Sequence, residues 1–442
     1  MGSGPEMKIC VFGLWHLGSV TAACLAKSGF KVIGLDFDEK TILTLISGKS
    51  QVYEPGLDDL ISSCIQNGNL SFTVDVAFAV GDADVVWVTF DTPVDDEDRA
   101  DVEFIEKRLL SIMGLLKDGV RVIISSQVPV GFTGRMEKIY ATNYPGRKAA
   151  FAYSPENLRL GKAIQVFENP DRIVIGVRDA QCITEFQPIF SVLAKRLEWM
   201  RTESAEMTKH AINAFLATSV VFANEIATLC ESVGADAKEV ERGLKSEERI
   251  GPKAYLSPGA AFAGGTLARD VQFLINMGQH CGSQTLLFKA VKDSNDYHRD
   301  WVKRKCKEYL ENLGGRKIAV LGLTYKPGTS TLRRSWAIEL CRWLYDNGVS
   351  VQAYDPQIRH LTDGLDRIIS LGKSIEEAVA GVDCIIIATE YPVFRDMDRS
   401  VIKLFEDKIV IDANGFIQKL LDQNPTIRYS AVGRGLNETK KA

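Results

Sequence analysis

Lys209 and Asn213 stand four residues apart in SAEMTKHAINAFLATSVVFANEIATLCESVG, a run with no proline and no internal glycine. That spacing puts an ammonium and an amide on one helix face. Glu206 and His210 are nearby. A solvated polar stripe would read the same way, and His210, about 100° round the helix from Lys209, is expected at a surface or an interface. The stretch from Leu256 to Asp270 is rich in glycine and alanine and ends with Thr266, Arg269 and Asp270. Its small residues admit close backbone approach to a ligand, although a plain loop between helices could look alike. Residues 13–18, GLWHLG, follow an apolar run, and Asp36 comes 23 residues after Gly13. A dinucleotide fingerprint needs a first glycine for the turn, a second where backbone meets pyrophosphate, a third for helix packing, and an acid for the ribose hydroxyls. Gly13, Gly18 and Asp36 supply three of these, while Trp15 occupies the second glycine's place and is expected to crowd the pyrophosphate path. Taken alone, such a loop could equally be a turn that binds nothing.

These residues need elements to hold them. KICVFGL, KVIGLDFD, DADVVWVTF and VRVIISS read as strands, with a helix from Ser19 to Gly29 after the first. The alternation implies βαβ units and a parallel sheet with functional loops at the strand C-termini, continuing to about Gly176. Thr202 to Gly234 reads as one long helix and Thr285 to Leu313 as a further helical stretch. After Gly314-Gly315 the strand pattern restarts with RKIAVLGL, VSVQAYDP, DCIIIATE and KIVIDANG, and Ser335 to Gly348 reads as a helix. The fold class expected is α/β, with two Rossmann-like doubly wound domains joined by a central helical domain. MGSGPE, residues 1–6, reads as an expression scar. The domains expected after it are 7–200 for the dinucleotide, 201–313 for the central helices and 314–442 for the second Rossmann-like unit.

The 442 residues carry 53 basic and 57 acidic side chains, a formal charge of −4, with 45% hydrophobic residues. That balance suits a globular chain with ample core and argues against a nucleic-acid partner bound through phosphate neutralisation. No apolar run approaches the roughly 18 residues that cross a bilayer, so no membrane partner is expected. Nine scattered cysteines without a CxxC pair suggest a reduced, cytoplasmic chain and no metal site.

Further motifs come in order: YEPGL from Tyr53, Thr92-Pro93, VPVG from Val128, SPENLRLG from Ser154 and NPDRIVIG from Asn169. AEMTKHAINAFLAT follows from Ala205, NEIA from Asn224, ERIG from Glu248 and FAGGTLARD from Phe262. GLTYKPGTSTLRRS begins at Gly322, YDP at Tyr354 and ATEYPVF at Ala388. On these, Met7 to about Gly435 resembles the NAD-dependent nucleotide-sugar dehydrogenases of the UDP-glucose and GDP-mannose 6-dehydrogenase type. The resemblance implies NAD as cofactor, met by Gly13, Trp15, Gly18, Asp36, Thr92 and Gln127. It implies that Lys209 and Asn213 assist deprotonated sugar oxygens and a catalytic water, that Asp270 lies beside that lysine, and that Glu156 contacts substrate and water. Arg249 would reach a partner subunit's nucleotide sugar, and Phe262, Gly264 and Gly265 would lie along the sugar and its phosphates. Tyr325 and Lys326 would contact the nucleotide sugar. A homodimer through the central helix is also implied.

The sequence departs from the family pattern at Thr266, where the resemblance puts a cysteine that forms a thiohemiacetal on the way to the acid. A thiol titrates near ~8.5, and a threonine hydroxyl has no comparable anionic population. Gln127 replaces the threonine of STVP, Leu160 the glutamate of REG, and Asp91 a glycine. Ser330 and Thr331 replace two aspartates, Arg334 an acid, and Asn414 the arginine of DGRN. The expected reaction is therefore one alcohol-to-carbonyl oxidation of a nucleotide sugar that stops short of the acid or reaches it slowly through the free hydrate. A non-catalytic nucleotide-sugar-binding relative is the alternative. The third domain argues against a hydroxyacid or 6-phosphogluconate type of enzyme.

Overall fold

The computed structural model describes residues 7–95, 100–156, 158–263, 266–327, 330–332, 335–362, 364–422, 424 and 426–436. The chain forms two compact units, residues 1–213 with 272–277 and residues 214–271 with 278–442.

The first unit is built on eight strands: β1 (Lys8–Phe12), β2 (Lys31–Leu35), β3 (Leu70–Thr73), β4 (Val85–Val88), β5 (Val120–Ile124), β6 (Ala149–Tyr153), β7 (Ile173–Val177) and β8 (Leu197–Arg201). Their order is β3-β2-β1-β4-β5-β6-β7-β8. Every pair is parallel except β6 with β7, which run antiparallel with Ala152 opposite Val177. Strand β1 shows why the sheet is buried on both faces. Ile9 and Val11 enter one apolar cluster, and Cys10 and Phe12 enter another, as a strand covered by helices on both sides requires. The sheet runs two strands beyond the β6 edge, ending at Arg201 rather than near Gly176.

The second unit repeats the plan with six strands: β9 (Lys317–Leu321), β10 (Ser350–Tyr354), β11 (Ile369–Leu371), β12 (Cys384–Ile387), β13 (Ile409–Ile411) and β14 (Arg428–Ser430). All pairs are parallel in the order β11-β10-β9-β12-β13-β14. The α/β, doubly wound reading holds for both sheets.

The long helix is Thr202–Val233. By length and composition it could cross a membrane, its most apolar 18-residue window having a mean hydropathy of 1.4, contrary to the expectation that no run comes near. It is instead a core helix. Ala205, Ala214, Ala217 and Ala227 are buried along it, and Ala205 packs against Gly176, where a Cβ would lie 2.6 Å from the alanine methyl.

Local boundaries move for physical reasons. The first helix starts at His16, not Ser19, because Trp15 is already its extended N-cap. Residues 267–270, expected in a loop, form the first turn of the helix Leu267–His280. The stretch expected as helical from Thr285 breaks at Asp300 (φ −89°, ψ 9°) into Leu286–Arg299 and Trp301–Leu310.

Candidate active site

The glycine loop begins where β1 ends. Gly13 adopts φ +98°, a left-handed conformation that side chains resist, and a Cβ there would lie 2.6 Å from the Phe90 ring. At Gly18 a Cβ would lie 1.7 Å from the Gly13 carbonyl oxygen. Both glycines are therefore required by space. Asp36 follows β2; its Oδ2 accepts the Leu14 amide at 2.8 Å and its Oδ1 accepts the Asp38 amide at 3.1 Å. Thr89, just past β4, donates its hydroxyl to the Gly13 carbonyl at 2.7 Å. The helix His16–Lys27 has no side-chain cap and no acid in its first turn. Its N-terminal amides and positive dipole end thus suit a diphosphate. Trp15 is 51% exposed on this loop. The loop fits a dinucleotide.

The carboxyl ends of β4, β5 and β6 carry Thr92, Gln127 and Glu156. Thr92 is buried and donates its hydroxyl to the Gln127 carbonyl. Above Glu156 runs the start of the long helix. Lys209 Nζ donates to the Glu156 carbonyl at 2.6 Å and to its Oε1 at 3.3 Å, while Oε2 of the same carboxylate accepts the Leu158 amide at 2.7 Å. Lys209 and Asn213 are both 6% exposed. This is no solvated stripe. His210, expected at a surface, is wholly buried instead: its Nε2 donates to the Val128 carbonyl at 3.0 Å and its ring lies 5.0 Å from that of Phe273. Glu206 is equally buried and accepts the amides of Gly131 and Thr133. Burial raises its pKa against those two hydrogen bonds. Glu206 and His210 thus fasten the VPVG segment, which follows Gln127, to the helix that carries Lys209.

The second unit holds the glycine-rich loop through four side chains that sequence reasoning passed over as ligands of the backbone. Asn224 Oδ1 accepts the Gly259 amide at 2.9 Å, and His298 Nε2 donates to the Gly259 carbonyl at 2.9 Å. Asn414 Oδ1 accepts the Ala260 amide at 2.7 Å. Asn295 grips Phe262 twice, accepting its amide and donating to its carbonyl, each at 3.0 Å. Asn295 and His298, three apart on a helix, were the available signal. Gly264, Gly265 and Arg334 lie outside the described residues. Thr266 is exposed, and its carbonyl accepts the amide of Asp270, which is fully buried in the first turn of Leu267–His280. Arg249 is exposed and pairs with Glu247 at 2.8 Å. Tyr325 is partly exposed and donates its amide to the Thr331 carbonyl at 3.0 Å; Lys326 follows it on the same loop.

All nine cysteines are free. Burial raises the pKa of Cys10, Cys24, Cys64, Cys182, Cys306, Cys341 and Cys384. The exposed Cys281 is separated from Thr266 by the 14-residue helix Leu267–His280, about 21 Å of helical rise. Among the described residues no group of three or more His, Cys, Asp or Glu side chains is placed to hold a metal ion.

Three family models match in succession. The NAD binding domain of the UDP-glucose/GDP-mannose dehydrogenase family covers residues 7–194, its central domain 203–297 and its UDP binding domain 319–419. A UDP-glucose 6-dehydrogenase of Rhizobium meliloti is 34% identical over 97% of this chain and 100% of its own length. A solved UDP-glucose dehydrogenase from Pyrobaculum islandicum superposes with a TM-score of 0.85 at 27% identity, covering 98% of this chain and all of that one. A UDP-D-ManNAc dehydrogenase structure from Pyrococcus horikoshii gives 0.83 at 26% identity, covering 97% and 100%.

Proposed function

This chain belongs to the UDP-glucose/GDP-mannose dehydrogenase family of NAD-dependent nucleotide-sugar oxidoreductases, and from that premise we propose that it oxidises a UDP-glucose-like nucleotide sugar by a single two-electron step, releasing the carbonyl product. The observation that carries the proposal is Thr266 at the turn before Leu267–His280, where the family resemblance calls for a thiol.

When bound, NAD supplies the hydride acceptor. The chain's own residues must then manage a proton and a developing negative charge on the sugar oxygen. Lys209 is suited to this. Its buried ammonium is held by the Glu156 carbonyl and carboxylate, and a fixed cation in a water-poor setting stabilises an alkoxide far better than bulk water does. Asn213, one turn along, adds an amide for a water or hydroxyl. The resemblance gives Asp270 a share in the proton traffic, and Glu156 a contact to substrate and water. Arg249, Phe262, Tyr325 and Lys326 are proposed substrate contacts on the same ground.

Going on to the acid requires a nucleophile to add to the carbonyl carbon and a second hydride to leave the adduct for a second NAD. A thiolate adds readily; a threonine hydroxyl does not, because its anion is scarcely populated near neutral pH. The remaining route is hydration of the free aldehyde and oxidation of the hydrate, which lacks a nucleophile positioned by the protein. NADH formed per sugar, together with mass analysis of the product, tests this. One equivalent and a carbonyl that can be trapped by a hydrazine are expected. Two rapid equivalents and a uronic acid would exclude the single-step reading. A chain that binds UDP-glucose but no NADH would support the non-catalytic alternative.

The exposed side chains of Phe215, Phe222 and Leu229, at seven-residue spacing on the long helix, support a homodimer. Phe222→Asp should then give a monomer by sedimentation velocity, and an unchanged mass would count against this surface.

A further inference from the structure

His16 is the first residue of the helix that follows the glycine loop, and no role falls to it in the oxidation. Its Nε2 lies 2.9 Å from Glu54 Oε2. Glu54 is 3% exposed and also accepts the Gly161 amide at 2.7 Å and the Ala163 amide at 2.8 Å. Burial opposes the ionisation of Glu54, yet the hydrogen bonds from His16, Gly161 and Ala163 outweigh it and hold the carboxyl below its ordinary pKa. An ionised carboxylate only accepts, so His16 carries its proton on Nε2.

One buried carboxylate therefore ties three stretches of the first unit together. These are the glycine loop, the YEPG segment that contains Glu54, and residues 161–163. The last closes the loop that opens at Glu156, whose carbonyl and carboxylate hold Lys209. A charge-assisted network at this depth resists stretching. Whatever displaces the amides at the start of the helix must move His16, and with it the anchor of the segment that runs back to Glu156.

On the dinucleotide reading given above, we propose that His16 and Glu54 are positioning residues that couple the two ends of this unit: a dinucleotide on the glycine loop sets the stance of Glu156 and Lys209 through the chain His16–Glu54–Gly161/Ala163. The cofactor in this way prepares the groups that meet the sugar. His16 itself touches neither reacting atom.

The test is a thermodynamic cycle by calorimetry on the full chain, with NADH and UDP-glucose each titrated alone and in the presence of the other. The wild type should bind UDP-glucose more tightly once NADH is present. His16→Leu removes the donor and should cut that coupling about 10-fold, the scale of one hydrogen bond to a charged group, while UDP-glucose binding alone stays within about twofold. His16→Gln, whose side-chain amide can reach Glu54 as a donor, should restore most of the coupling, and a merely structural role predicts no such rescue. Melting curves keep the comparison to folded proteins, and Glu54→Gln is the second variant should His16→Leu fail to fold. A wild type that binds both ligands without coupling, or a His16→Leu protein that couples as the wild type does, overturns the inference alone. A wild type that binds no NADH overturns the dinucleotide reading and the inference with it.

Discussion

Alanine in place of Gly18 probes the phosphate loop most directly. Its Cβ would sit 1.7 Å from the Gly13 carbonyl oxygen and 2.8 Å from Thr89 Oγ1. Non-bonded atoms rest near ~3.5 Å, so the start of the helix must retreat by about 1.5–2 Å. No flexible side chain can absorb that shift. The obstructing atom is backbone, and Thr89 pins it from the other side at 2.7 Å. Overpacking of this kind costs about 1–3 kcal/mol, which for a unit of this size lowers Tm by roughly 2–12 °C. The larger loss should fall on the cofactor. A hydrogen bond weakens steeply once its geometry is off by a few tenths of an ångström, and several amides move at once, so NADH affinity should drop roughly 100-fold. Fluorescence titration of NADH measures this, with Gly29→Ala as the control. Gly29 has φ +97° and nothing within 4 Å of a Cβ, so alanine there adds about 1–2 kcal/mol of backbone strain and leaves NADH binding as it was. A folded Gly18→Ala protein that binds NADH like the wild type would refute the reasoning.

Thr266→Cys restores the missing nucleophile, and NADH per UDP-glucose should rise from one towards two; a ratio that stays at one would place the block elsewhere. Lys209→Met removes the buried ammonium and should lower kcat about 10²–10³-fold with a stability cost of only about 1–3 kcal/mol; steady-state rates beside melting curves separate the two, and a kcat within a factor of three would deny Lys209 its role. His298 gives a pH signature. Burial, partly offset by its bond to the Gly259 carbonyl, holds its pKa below the ordinary 6.5, so the neutral form contributes stability that is complete above pH 6.5 and is lost as pH falls through the lower folded value. His298→Gln keeps a donor and removes the titration, so its Tm should fall less than that of the wild type between pH 7 and pH 5; parallel curves would disprove the assignment.

Eight of the fourteen strands, β1, β2, β4, β5, β9, β10, β12 and β13, were legible because they are short, largely apolar runs, a signature that survives without tertiary context. Gly13, Gly18 and Asp36 were legible for the same local reason. The pair Lys209/Asn213 was legible as one helix face, but not as a buried one: a polar stripe at helical spacing reads the same in solvent or in a core, and only tertiary packing put Glu206 and His210 against Val128, Gly131 and Thr133. The His16–Glu54 contact spans 38 residues, and no local pattern announces a pair so far apart. The antiparallel pairing of β6 with β7 escaped as well, since apolar runs carry no sign of strand direction. Thr266 stands out only against a family pattern; among its own neighbours it is an ordinary turn residue.

The two sheets use one device at equivalent places and differ in a way that explains which substitutions each tolerates. Gly13 and Gly322 both take left-handed conformations, at φ +98° and +87°. Asp36 Oδ2 accepts the Leu14 amide at 2.8 Å, and Asp355 Oδ2 accepts the Leu323 amide at 2.7 Å. The threonines differ, since Thr89 donates to the Gly13 carbonyl at 2.7 Å whereas Thr389 donates two residues past Gly322, to the Thr324 carbonyl at 2.8 Å. The connections also differ in length. Three residues, Gly13 to Trp15, join β1 to its helix, whereas fourteen, 322–335, join β9 to the helix Trp336–Asp346. A short connection leaves helix amides directly beyond the strand, ready for a diphosphate; a long one interposes side chains such as Tyr325 and Lys326. On the proposed reading the first loop recognises with backbone, and there a single methyl at Gly18 meets the Gly13 carbonyl oxygen at 1.7 Å. If Tyr325 and Lys326 are the proposed substrate contacts, their identities, rather than the space around a glycine, should govern how the nucleotide sugar is held.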